Sequence, residues 1–332
     1  MSYGAQIKFG LARQASAGAK ATDPGSFHPI PLLNESVGLD VAEVISQNLN
    51  GTFNQGGSFP GITKINGTIQ CDATPRNLGA LLNAVVTNSP TLTPSGTGLT
   101  TYLFVPQVTD FSSTLVKAPW TIYKQFSDAN SAELYWDAQF DQLEFAFTQG
   151  QFMKVSAMVA GATREPNGIG SMNVMPAGTD IGALFPWNIS SLSYAGAGMS
   201  NFSDITVKFN DNVDPLYTLN AGLAPFKYAR TGFREVTVDG TFYMSDRTLM
   251  NNFSANSYGR LLITAANTST ACQSGYYNSL LIDIPQCRIT AFKPGASGPG
   301  EVSVKVSMRG IVDPASNYVA QFTLQNTWRQ GY

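Results

Sequence analysis

Chemistry in a folded chain needs a few reactive side chains brought together, and this sequence offers few starting points. His28 is its one histidine, so any Ser-His-Asp triad or histidine metal site has to be built around the Pro-bounded stretch FHPIP. No G-x-S-x-G elbow supplies a nucleophile for it, and it reads as a surface or packing residue. Asp137, Asp141 and Glu144 in ELYWDAQFDQLEF suggest the carboxylate pair that flanks a scissile glycosidic bond. Residues four apart on a strand are separated by about 13 Å, too far to share one bond, so a polar strand face is expected instead. The run Asp211-Asn212-Val213-Asp214 resembles part of a calcium loop but lacks the full spacing and the distal Glu. Turn chemistry accounts for it.

Cys71, Cys272 and Cys287 form an odd set without CxxC spacing, which argues against a disulfide framework or a zinc knuckle. Cys71 falls on an apolar strand face and reads as a small buried hydrophobe. Cys287 is in phase with Ile289, and Cys272 lies in the polar segment TSTACQSGYY with no neighbouring base. The glycine groups at 168–170 and 295–300 precede no GK[ST] and read as hairpin connections rather than phosphate loops. No cofactor is implied.

The elements that would position these residues are mostly strands. Period-two alternation bounded by Gly, Pro, Asn and Asp recurs throughout, so the chain is mainly β. Over 64–72, KINGTIQCD, Ile65, Ile69 and Cys71 share one face, and Asn66, Thr68 and Gln70 the other. Over 301–309, EVSVKVSMR, Val302, Val304, Val306 and Met308 point inward. One helix is well signalled: Thr74 as N-cap, Pro75 at the first position, then Leu78, Leu81, Leu82 and Val85.

Sliding the chain along itself reveals a repeat. Residues 65–78 fall on 238–249, matching Ile65 with Val238, Gly67 with Gly240, Thr68 with Thr241, Ile69 with Phe242 and Cys71 with Met244. Further on, VSAMVAG at 155–161 falls on VKVSMRG at 304–310. Two matches in the same order indicate tandem copies, 1–170 and 171–332, with the junction near residue 170 in a Gly/Pro-rich stretch.

At 332 residues the chain has the length of two domains. Charged residues are only 13%, against 43% hydrophobic, a profile of surfaces meant to be covered by neighbours. The net charge of −2 with scattered basic residues lacks the footprint of a nucleic-acid reader. The opening MSYGAQIKFGLARQ has no continuous apolar core of a signal peptide, and no stretch approaches the roughly 18 apolar residues of a membrane span. Synthesis and retention in a cytoplasm, with no membrane partner, is the expectation.

Several segments together resemble the tail tube proteins of bacteriophages with long non-contractile tails, in their two-domain subgroup. They are the opening ARQASAGAKATDPGSFHPIPLLNESVGL, the glycine-rich region 47–61, the strand-to-helix passage GTIQCDATPRNLGALLNAVV, APWTIYKQF, and the strands ending in MVAGAT. The resemblance implies two tandem β-sandwich domains, each with a flanking short helix, whose inner sheets join those of neighbours into a continuous β-barrel tube. The second helix segment, DRTLMNNFSANSYGR, departs from the pattern by being shorter and less apolar.

The expected function is therefore structural rather than enzymatic: stacked rings forming the channel through which genomic DNA passes without specific binding. Three chains per ring are expected because each carries two domains. Candidate lumen-facing residues are Thr68, Gln70, Gln139 and Asp141. The candidate inter-ring loop includes Asn48, Asn50, Gly51, Asn54, Gly56 and Gly57. Tape measure, terminator and distal tail proteins are the implied partners, and the virion tail, assembled in the host cytoplasm, the implied location. The alternative is a carbohydrate-binding or adhesin sandwich, suggested by four Trp and thirteen Tyr that could stack on sugars. Against it, Trp120, Trp136 and Trp187 read as core or interface anchors.

Overall fold

The computed structural model describes residues 7–45, 57–94, 98–126, 132–166, 184–186, 189–219, 222–244, 247–273, 276–295 and 302–327. The first half contributes β1 (Lys8–Arg13), β2 (His28–Pro29), β3 (Asn34–Glu35), β4 (Gly38–Ile45), β5 (Ser58–Asp72), α1 (Pro75–Val85), β6 (Thr91–Pro94), β7 (Thr100–Phe104), β8 (Trp120–Gln125), β9 (Ala132–Thr148) and β10 (Lys154–Pro166). The second contributes β11 (Ile189–Tyr194), β12 (Ala197–Gly198), β13 (Phe202–Asn210), β14 (Val213–Leu216), β15 (Lys227–Arg230), β16 (Glu235–Tyr243), α2 (Thr248–Ser254), β17 (Tyr258–Gln273), β18 (Tyr276–Gly295), β19 (Ser303–Ile311) and β20 (Gln321–Asn326). The fold is mainly β, as the alternation predicts, and fits sandwich domains with a short helix in each half.

One antiparallel sheet runs through both halves in the order β4, β5, β10, β9, β13, β16, β19, β18. Its buried side carries Ile65, Ile69 and Cys71, then Val155, Phe145, Val207, Val238 and Met308. A second layer covers that side. In the first half it is built on β1 and β8; in the second, on β11, β17 and β20. The long strands β9, β10 and β18 belong to both layers, and bulges along them make the change of direction.

The segments matched in sequence can be compared through their pairing. Gly67 opposes Val159 of β10, and its counterpart Gly240 opposes Val306 of β19. By sequence alone Gly240 would oppose Met308, so the register differs by two residues, which keeps every side chain on its own face. A Cβ on Gly67 would meet Ser36 O at 2.4 Å, and one on Gly240 would meet Asp204 O at 2.8 Å. The chain segment at Ser36 and the strand β13 at Asp204 therefore occupy equivalent places. The halves are also interlocked, since β20 pairs with β7 and Phe322 packs on Phe145 and Phe209 at 5.5 and 6.0 Å between centroids.

Helix α1 begins as its sequence indicates. Thr74 Oγ1 accepts from Asn77 N at 3.3 Å while Asn77 Oδ1 accepts from Thr74 N at 2.8 Å, a reciprocal cap. Ten of its eleven residues are buried. Helix α2 has seven residues, no side-chain cap and one buried residue, Leu249, in line with its weaker pattern. Val302 corrects the inward expectation: it precedes β19 and is 38% exposed. The expected junction near residue 170 lies outside the described residues.

Candidate assembly surfaces

The side of the long sheet opposite the core is polar. Reading across paired residues, one row is Gln70, Ser156, Glu144, Lys208, Thr237, Arg309 and Arg288. Charges of both signs lie on this face: Lys208 faces Glu144 where β13 meets β9, Arg309 pairs with Glu235, and Arg309 and Arg288 stand opposite one another. Ser307 Oγ donates to Asp239 Oδ1 at 2.5 Å. Thr68 and Gln70 lie on this face, in phase as their sequence indicates.

Gln139 and Asp141 do not share that position. Met158 opposes Gln142 while the next residue, Val159, opposes Phe140, so Asp141 is the extra residue of a bulge. The bulge flips the phase of β9: Gln142, Glu144 and Ala146 take the polar side. Gln139 is fully buried, accepting from Lys117 N at 2.9 Å and donating to Lys117 O at 3.1 Å. It lines no surface of the chain. Asp141 accepts from Val213 N at 2.6 Å.

Asp211 is the centre of a buried ion cluster that joins the halves. Lys117 Nζ lies 3.1 Å from Asp211 Oδ2, and both side chains are 1% exposed. The same ammonium donates to Phe140 O at 2.8 Å and to Val85 O at the end of α1. Arg234 Nε and Arg230 Nε reach Asp211 Oδ1 at 2.5 and 3.3 Å. Burial acts to raise this carboxyl, but Lys117, Arg234 and Arg230 outweigh it and hold Asp211 below the usual carboxylate range. Asn212 has φ of 53°, so the turn expectation holds there. No local pattern announces the cluster, because its cations lie about a hundred residues before and twenty after Asp211.

Among the described residues the long sheet ends in an unpaired edge on each side. One is the outer edge of β4, which pairs only with β5. The other is the end of β18 from 289 to 295, which pairs only with β19. Within the chain, β13 pairs with the 142–148 end of β9.

At one end of the sheet the β4–β5 hairpin projects, with Leu39, Val41, Val44, Ile45, Phe59 and Ile62 exposed. The β14–β15 ribbon of the second half braces it: Thr63 N and Oγ1 donate to Leu223 O at 2.9 and 3.0 Å, and Tyr217 OH donates to Thr63 O at 3.0 Å. Gly161 is required where Tyr228 crosses β10, for a Cβ would meet the ring at 2.3 Å. At the opposite strand ends a groove opens beside β13, lined by Phe147, Ile189, Leu192, Met199 and Phe202. Of the candidate loop residues, Asn48, Asn50, Gly51, Asn54 and Gly56 lie outside the described residues, and Gly57 is exposed just before β5.

The remaining chemical candidates do not converge. His28 sits half-buried on β2, where burial and then the Arg76 charge push its imidazole down to about 4. Asp137, with φ of 52°, accepts from Gly18 N at 2.9 Å and so ties down the N-terminal segment. Cys71 is fully buried, its thiol raised by burial and then by Asp72. Burial pushes Cys287 up to about 12. The side chain of Cys272 lies outside the described residues, as does Trp187. Trp120 is fully buried and Trp136 half-buried, which removes Trp120 as a sugar platform. Among the described residues no three His, Cys, Asp or Glu gather to hold a metal ion.

A protein-family model described as phage tail tube protein matches residues 4–310. No curated protein matches the chain.

Proposed function

The chain belongs to the phage tail tube protein family, and from that premise we propose that it polymerises as stacked rings of three chains around a channel for DNA. Its role is that of a structural component of the virion tail. Each chain supplies two tail-tube domains, 1–170 and 171–332, joined through β9 and β13 as neighbouring chains would be joined through β18 and β4.

The observation that carries this reading is the stagger between the copies. The row containing Cys71 on β5 passes through Val155, Phe145 and Val207 to Val238 on β16. Val238 is the counterpart of Ile65, which lies six residues before Cys71 in β5. Each copy thus advances four strands and six residues, which corresponds to strands tilted by about 45° to a barrel axis. Three chains would close about 24 strands at a backbone radius of about 25 Å. That leaves a lumen wide enough for a hydrated duplex, whereas the four copies of two chains would bring the side chains against it.

The polar face supplies a suitable wall. Thr68 and Gln70 would line it with Ser156, Glu144 and Lys208; Gln139 is withdrawn, and Asp141 would contribute at most from the bulge. Glu144, Glu235 and Asp239 interrupt the cations of this face, so DNA would meet mixed charge rather than a purely basic wall. The ends of the tube would meet tape measure, terminator and distal tail proteins after assembly in the host cytoplasm. Cryo-EM of assembled tubes, or native mass measurement of isolated rings, tests the stoichiometry. Three chains with approximate six-fold symmetry are expected, and six chains per ring would refute the assignment.

A further inference from the structure

The two open edges of the long sheet carry charges of opposite sign. On β4 the charged residues are Asp40 and Glu43, both acidic and both exposed. Asp40 opposes Lys64 and Glu43 opposes Pro60, four residues apart on β5, so the bulge between Val41 and Glu43 keeps both carboxylates on the polar face. At the other edge Lys293 of β18 opposes Lys305 of β19, in phase with Ser307 and Arg309 on that same face. Both lysines are exposed, and the 289–295 stretch of β18 holds no acid. Like charges facing each other across two strands are unfavourable, so this edge calls for an anion from outside the chain.

A strand edge offers unpaired N–H and C=O groups to any other edge. Three pairings are open to copies of this chain: two β4 edges about a two-fold axis, two β18 edges about a two-fold axis, or β18 on β4. The first two are isologous and end as dimers, whereas the third is heterologous and continues until a ring closes. Backbone groups do not distinguish them, because every edge presents the same donors and acceptors. The side-chain charges do. Two β4 edges would set acid against acid and two β18 edges lysine against lysine, and only β18 on β4 brings opposite signs together.

We propose that Lys293 and Lys305 on one edge, and Asp40 and Glu43 on the other, select the head-to-tail joint between chains and so make the product a ring rather than an edge-to-edge dimer. This rests on the tube reading and names the residues that give its lateral joint a direction. With the six-residue stagger from β5 to β16 repeated between chains, the row through Lys293, Lys305 and Thr241 reaches Ile62 of the next chain, which lies between the Asp40–Lys64 and Glu43–Pro60 pairs. Each carboxylate is then a diagonal neighbour of Lys293, within reach of its long side chain. Lys64 stands one strand in from that edge. The joint inside the chain has the reverse polarity, with Lys208 of β13 facing Glu144 of β9. A chain that opened there would meet acid with acid if its β9 took a neighbour's β4.

The test uses the full-length chain in three forms: Lys293→Glu with Lys305→Glu, Asp40→Lys with Glu43→Lys, and all four together. Native mass spectrometry counts the chains in each assembly. Either pair alone gives both edges one sign and should lower the yield of rings at least tenfold, and salt at about 1 M, where screening acts beyond about 3 Å, should bring the rings back. The four together restore opposite signs in reversed order and should form rings in low salt. Mixed with isotope-labelled unmodified chain, the four-residue variant should form separate rings, because its acidic β18 would meet an acidic β4. Undiminished rings from both two-residue variants, no recovery in salt or in the four-residue variant, or freely mixed rings would overturn the charge selection and leave the tube reading standing. Failure of the unmodified chain to form rings at all would overturn the tube reading, and the selection with it.

Discussion

Lys117 Nζ and Asp211 Oδ2 lie 3.1 Å apart with both side chains withdrawn from solvent, and this pair bolts the two halves of the chain together. Truncating one member of a buried pair leaves the other charge uncompensated. Asp211→Asn should destabilise the protein by about 3–5 kcal/mol in chemical denaturation, because Lys117, Arg230 and Arg234 would lose their shared anion. A loss below about 1 kcal/mol would show that the cluster is not what couples the halves.

The same cluster sets a pH dependence. Asp211 is held below its ordinary value on folding, so its contribution is full above the unfolded pKa near about 4 and is lost as pH falls through the folded value. Thermal melts from pH 6 downward should show wild type losing stability below about pH 4 more steeply than Asp211→Asn. Parallel curves would contradict the assignment.

Gly67 has φ of +145°, and a Cβ there would strike Ser36 O at 2.4 Å. Backbone meets backbone at this point, so relief requires moving β5 or its neighbour. Gly67→Ala should cost at least about 2 kcal/mol, while Gly198→Ala, which faces open space without a positive φ, should be within about 0.5 kcal/mol of wild type. Equal stabilities would remove the close approach as a constraint.

Cys71 packs in the core between β5 and its partners and is fully buried. Cys71→Ala should lose about 1–2 kcal/mol through the small cavity left behind and leave assembly unchanged. Rapid stoichiometric labelling of Cys71 in the native protein would contradict its burial.

Charge on the polar face gives a functional test. Replacing Gln70 and Ser156, which oppose one another across β5 and β10, by Lys would repeat a basic pair around and along the lumen. DNA release from particles built with this variant should slow and become more sensitive to salt, because phosphates would be held by counterion release. Unchanged kinetics at low ionic strength would place this face away from the DNA.

Period-two alternation determined the β5 faces, and the Thr74–Pro75 start determined α1. Each is local: the information lies within a few residues, where strand and helix periods act. The tertiary structure alone decided the rest. Gln139 left the polar face because one extra residue, Asp141, bulges from β9 opposite β10, and a bulge depends on a partner strand distant in sequence. Asp211 became the anion of three cations because Lys117, Arg230 and Arg234 converge on it in space. The stagger of six residues between the matched strands β5 and β16 is a property of the registers of five strands, and register is fixed by packing between strands rather than by any one of them.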